Sequence, residues 1–205
     1  MAEVVVPPER LERWVVNFGA RHGGVTTDVA AGRLTGAGGD GSTFAAALPF
    51  ARAYGGSPDV DAFRAAAAPP ETWGVLLVRK GGFAVARLAG PRVVASKVGR
   101  RHVQGRSKAG GQSQQRFARR RDNQARSAYD AATDHAVTVL GEPALALVVG
   151  GDRTAVAAVL EDRRLARHAV VDPWLPVPEP RRAELDAAIA AAAAVRVEVV
   201  NAPGT

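Results

Sequence analysis

The chain has 205 residues, of which 47% are apolar, and it contains no cysteine. That length and composition fit one large domain or a core with a smaller appendage, and exclude wholesale disorder, disulfides, thiolate nucleophiles and cysteine-ligated zinc. The net charge of +7 and a sequence pI near 10.9 point to a polyanionic partner.

In chain order, MAEVVVPPER has no basic stretch followed by an apolar one, so no signal peptide is expected. The segment from Pro8 to His22 sets Leu11, Trp14, Val15 and Phe18 on one helical face, and Gly23-Gly24 ends it. Two strands are predicted at 25–34 and 44–50, joined by a Gly-rich loop at 36–41. Ser57-Pro58 is read as the cap of a short Ala-rich helix running to Ala68. Pro69-Pro70 then marks a boundary, so residues 1–70 are expected to form a small α+β appendage and 71–205 the main domain.

From Trp73 the pattern becomes an antiparallel meander: strands at 73–79, 83–89 and 92–97, with turns at Lys80-Gly81-Gly82 and Gly90-Pro91. Residues 113–140 lack Gly and Pro, long enough for a helix of about 42 Å. Its second half carries an apolar stripe of Ala125, Ala128, Ala132, Ala136 and Val139, so that half is expected to pack on the core. A buried strand is predicted at 144–149, a helix capped by Asp152 to about Leu165, and a short strand at 169–171. A last helix at 181–194 and a strand at 195–200 follow. The order describes an α/β domain: a mixed sheet with helices on its faces. The longest apolar run, Ala187 to Val195, is far short of the roughly 20 residues that span a bilayer. A soluble, cytoplasmic monomer without a membrane partner is the expectation.

From the end of the meander into the first half of the long helix runs the segment 97–126, with ten Lys or Arg and a single acid, Asp122. This segment alone exceeds the charge of the whole chain. At its centre stand Gly110, Gly111 and Gln112. The two glycines let backbone approach a ligand with no Cβ in the way. Gln112 offers amide donors and a carbonyl acceptor without charge, so it can order a water or cap an oxyanion but cannot act as a strong base. Arg100, Arg101, Arg106 and Lys108 before the tripeptide, and Arg116, Arg119, Arg120, Arg121 and Arg126 after it, form two flanks suited to an RNA backbone. The start of the following helix also favours phosphate or a developing oxyanion. Asp122-Asn123 reads either as part of a motif or as a local ion pair with Arg119 or Arg126. His102 is read as a surface residue, His135 as half-buried, and Trp14, Trp73 and Trp174 as packing residues. A metal-dependent nuclease would need clustered carboxylates at strand ends, and 73–97 contains neither Asp nor Glu. No metal or cofactor is expected.

The stretch KAGGQSQQRFARRRDNQA (108–125) resembles the Vms-like release-factor family in a compact bacterial form. That family is related to the Gly-Gly-Gln catalytic domain of archaeal and eukaryotic class-I peptide-chain release factors. Gly110, Gly111, Gln112, Ser113, Asp122 and Asn123 match its pattern. The resemblance implies an RNase H-like fold and hydrolysis of the peptidyl-tRNA ester on stalled ribosomes. Gln112 would position the attacking water, and the partners would be large-subunit ribosomal RNA and peptidyl-tRNA, not DNA. The chain lacks the zinc finger, ankyrin and coiled-coil segments of eukaryotic members and any separate codon-reading domain, so release independent of codon is implied. Two other readings stand beside it: a non-catalytic ribosome- or RNA-binding factor, and cleavage within the tRNA 3′ end.

Overall fold

A computed structural model describes residues 2–100 and 129–203. The chain divides into two units, Met1–Pro69 with Ile189–Thr205, and Pro70–Ala188.

The first unit contains strands β1 (Ala2–Val6), β2 (Val25–Ala30), β3 (Arg33–Gly38), β4 (Thr43–Ala47) and, from the far end of the chain, β10 (Val195–Val200). They form an antiparallel sheet in the order β1-β10-β4-β3-β2. Helix α1 (Leu11–Arg21) buries Leu11, Val15 and Phe18 at the helical spacing expected, and Gly23 and Gly24 end it with φ of 71° and 102°. These side chains join Leu34, Phe44, Val195 and Val197 in one core, with Phe63 from α2 (Val60–Ala66). Gly36 lies in β3 under the Phe44 ring, where an added Cβ would stand 2.1 Å from ring carbon. Phe44 is held in turn by edge-to-face contacts with Trp14 and Phe18. Gly36→Ala is therefore expected to cost about 1–3 kcal/mol through overpacking. A guanidinium midpoint equal to wild type would contradict that packing.

Several details differ from the sequence reading. Residues 25–34 are two strands, not one, because Ala31 and Gly32 both take positive φ (49° and 74°) and reverse the chain. The glycines read as a loop at 36–38 belong to β3. The cap of α2 is Asp59, whose carboxylate accepts from the Ala62 N–H at 2.8 Å, and not Ser57. Finally, β10 lies between β1 and β4, where it buries Val195 and Val197, instead of completing the sheet that follows residue 71.

The second unit contains β5 (Thr72–Arg79), β6 (Gly82–Ala89), β7 (Arg92–Arg100), β8 (Ala146–Gly151) and β9 (Ala169–Leu175), in the order β7-β6-β5-β8-β9. The meander β5-β6-β7 is antiparallel, while β8 runs parallel to both β5 and β9. The expected mixed sheet is thus present. β5, at its centre, is buried from Trp73 to Val78, as its unbroken apolar run requires. One face is covered by α3 (129–140) and α4 (Arg153–Leu160). There Ala132, Ala136 and Leu140, with Val156 and Val159, pack on Leu76, Val78, Val85, Leu147 and Val149. The apolar stripe read on the second half of the long helix is the buried face of α3; Ala125 and Ala128 lie outside the described residues. Helix α4 stops at Leu160 and not Leu165, because Asp162 takes the Arg164 N–H at 2.8 Å and starts a turn. Helix α5 (Arg182–Ala192) follows, with Leu185 fully buried.

Candidate functional site

The basic segment begins within the last residues of β7 and leads toward α3. Gly110, Gly111 and Gln112 lie outside the described residues, as do Ser113, Asp122 and Asn123. So do Arg101, Arg106, Lys108, Arg116, Arg119, Arg120, Arg121, Arg126 and His102. Of the expected RNA contacts, Arg100 alone is described. The base from which the segment springs can be built residue by residue.

β7 closes against the start of β6, with Gly82 opposite Arg100 and Phe83 opposite Gly99. Both glycines are sterically required. A Cβ on Gly82 would meet the Gly99 carbonyl at 2.7 Å, and one on Gly99 would meet the Phe83 ring at 2.3 Å. The other side of this contact is α3: Phe83 stacks on His135 with centroids 5.3 Å apart. One buried ring therefore ties the last residues of β7 to α3, the two elements that flank the segment. At the described start of α3, Tyr129 packs against the core, and burial, then the charge of Asp152, push its phenol up. Asp152 caps α4 through the Ala155 N–H at 3.0 Å, and its own N–H donates to the Val78 carbonyl. The departure from β7 and the start of α3 thus lie at the same end of the sheet, beyond the carboxyl ends of the parallel strands β5 and β8. That is where open α/β sheets place ligands.

The charge at this end is mostly positive. Arg100 is exposed and stands 3.5 Å from the carboxylate of Glu179, which also pairs with Arg181. The Arg181 hydrogen bond, then the charges of Arg181 and Arg100, hold the Glu179 carboxyl below its usual range. An exposed pair of this kind is weak, so Arg100 can exchange its carboxylate for a phosphate. Three cations missed by the sequence reading join it. Arg79, at the end of β5, donates to the Val177 carbonyl at 2.9 Å. Lys80 is exposed in the adjoining turn. Arg153, at the start of α4, lies over the Trp174 ring with its guanidinium carbon 4.3 Å from the centroid. The signal for them was present: placing 144–149 parallel to 73–79 would have brought Lys80 and Arg153 to one end. Trp73 is fully buried, whereas Trp174 is half-buried and presents a face.

Helix α3 is fastened at several points. Gly141, with φ of 54°, ends it, and Arg87 donates to the Leu140 carbonyl at 3.1 Å. On its outer side Arg164 bridges Asp134 of α3 (3.0 Å) and Asp162 (2.8 Å). The Arg164 hydrogen bonds pull the Asp162 carboxyl down to about 2. Because the folded value is depressed, this latch is at full strength above the ordinary carboxyl range and is lost as pH falls through about 2. Arg164→Ala should return the Asp162 carboxyl, followed by carbon NMR, toward its ordinary value of 3.8. It should also speed amide exchange in 129–140. An unchanged midpoint would mean that another partner holds Asp162.

A family model described as the Actinobacteria/chloroflexi VLRF1 release factor matches residues 71–198. The chain belongs to this family. The match begins at β5, takes in the whole basic segment, and covers more than half of the chain. No curated protein matches it. The family gives the chain a release-factor-like role in translation, and the basic segment with Gly110, Gly111 and Gln112 falls inside the matched region. Among the described residues, no three His, Asp or Glu side chains are grouped to hold a metal ion, and no helix is long and apolar enough to cross a membrane.

Proposed function

We propose that the chain is a peptidyl-tRNA hydrolase that frees stalled nascent chains from the large ribosomal subunit, independent of codon. The observation that carries this reading is the release-factor match spanning residues 71–198, with Gly110-Gly111-Gln112 at the centre of its basic segment. The strand order of the second unit, an antiparallel meander extended by two parallel strands on the far side of β5, supports an RNase H-like fold for it.

In the proposed reaction a water attacks the carbonyl carbon of the ester between peptide and tRNA. The bond from that carbon to the ribose oxygen breaks, and the water proton passes to the departing oxygen. Gln112 holds the water through its amide, and Gly110 and Gly111 let the backbone approach the ester. A neutral side chain suffices because the ester is activated and both reactants are held, so positioning supplies much of the acceleration. Ser113, Asp122 and Asn123 support the tip. Arg100, Arg101, Arg106 and Lys108 on one flank, with Arg116, Arg119, Arg120, Arg121 and Arg126 on the other, contact ribosomal RNA and the tRNA end. Arg79, Lys80 and Arg153 extend that basic surface at the base.

Binding to purified large subunits tests the RNA-facing part of this reading. Replacing Arg119, Arg120 and Arg121 together with Glu should weaken binding and lower the slope of log affinity against log salt by about 3. Single-turnover release should fall in step. An unchanged salt slope would remove these arginines from the interface.

A further inference from the structure

The first unit has one open sheet edge unlike the other. β2, at one end of the sheet, carries Thr26, Thr27 and Asp28 along its length. β1, at the other, pairs among the described residues only with β10 and presents Val4 and Val5 at 38% and 48% exposure. Its continuous register contains no bulge, lysine or proline, the usual devices that keep an edge from pairing. Its one charged residue, Glu3, is held by Arg196 of β10 at 2.7 Å. Beside this edge a groove of about 570 Å³ runs between the stretch Val4 to Pro7 and one side of α1, where Arg10, Arg13, Trp14 and Asn17 line it.

The lining is apolar along the strand and cationic along the helix. It contains no carboxylate, and neither Arg10 nor Arg13 has an ion pair among the described residues. The unit as a whole is not basic: its seven arginines face eight carboxylates, in contrast to the segment 97–126. A polyanion such as RNA therefore finds no extended electrostatic footprint here, whereas a short chain that needs two cations and a free strand edge does.

We propose that this groove binds an extended peptide that adds to β1 as a further strand, with alternate side chains apolar and acidic. The backbone would pair with the free groups of β1, an apolar side chain would rest on Val4 and Trp14, and a carboxylate would sit between Arg10 and Arg13. This surface precedes the release-factor region and does not depend on the hydrolase reading. It gives residues 1–70 a role in partner recruitment.

The test uses the intact chain and a phage library of random 12-residue peptides, followed by labelled synthetic copies of the selected sequences. Selected peptides should alternate apolar and acidic residues, and their binding should slow amide exchange in Ala2–Val6. Arg10→Glu with Arg13→Glu should weaken binding at least tenfold, and the neutral Gln pair should weaken it less. Arg21→Glu, an exposed charge on the same helix outside the groove, should leave it unchanged. Near-UV circular dichroism checks that each variant keeps its fold. Selection of no such pattern, or binding indifferent to the Arg10 and Arg13 changes, overturns the proposal. So does a concentration-dependent dimer abolished by the double reversal, which would make the occupant a second copy. Binding of a single-stranded RNA homopolymer lost in that variant, with no peptide selected, would likewise replace it.

Discussion

Gln112→Ala is expected to lower peptide release from stalled large-subunit complexes by about 10²–10³-fold, the range found when one preorganised polar group is removed from a reacting centre. Binding to the subunit should change little, because on the proposed reading the affinity comes from the arginines and lysines on either side and not from a neutral amide. The two effects can be separated because on the proposed reading Gln112 and the basic flanks do different work. Gln112→Glu is informative beside it. A carboxylate keeps the shape of the amide but loses its donors and adds charge in a phosphate-rich setting, so it should not restore release and should weaken binding. A general-base mechanism would predict the opposite for Glu.

Trp73→Ala is expected to destabilise the second unit by about 3–5 kcal/mol. Trp73 is 1% exposed at the start of β5, the strand on which the rest of its sheet is built. Its indole N–H donates to the Gly90 carbonyl at 2.8 Å, tying β5 to the turn between β6 and β7. Removing it therefore leaves a large cavity and an unpaired carbonyl together. The consequence reaches function by a traceable route. β5 orders β6, β6 orders β7, and β7 delivers the chain to the basic segment at Arg100. Thermal unfolding should show the loss in this variant, and release should fall only as far as the folded fraction falls. A drop in release at full folding would give Trp73 a role beyond packing.

Much of this architecture is legible in the sequence because it is encoded locally. The spacing of Leu11, Val15 and Phe18, the unbroken apolar run of β5, the Lys80-Gly81-Gly82 turn and the Asp152 cap each fix a feature within a few residues. What escapes is set at a distance or by unusual backbone. Ala31 takes positive φ in a turn without the Asn-Gly or Asp-Gly pair that announces one. β1 is not predicted at all, because a strand of five residues acquires meaning only from β10, which pairs with it from far along the chain. β10 itself carries an alternating pattern that would suit either sheet, and only burial of Val195 and Val197 beside Leu34 and Phe44 decides between them. For the site, the charge run and the tripeptide are visible in the sequence. That Arg79 and Arg153 lie at this same end required knowing that β5 and β8 run parallel and end together.

On the proposed reading, this release-factor chain cuts the peptidyl-tRNA ester by means of Gln112. The measurement that tests it most directly is release from purified large-subunit–nascent-chain–tRNA complexes, comparing wild type with Gln112→Ala and sizing both products. Free peptide and full-length tRNA are expected from wild type, and neither from the variant. Peptide still carrying 3′ nucleotides, or release by the variant at the wild-type rate, would contradict it.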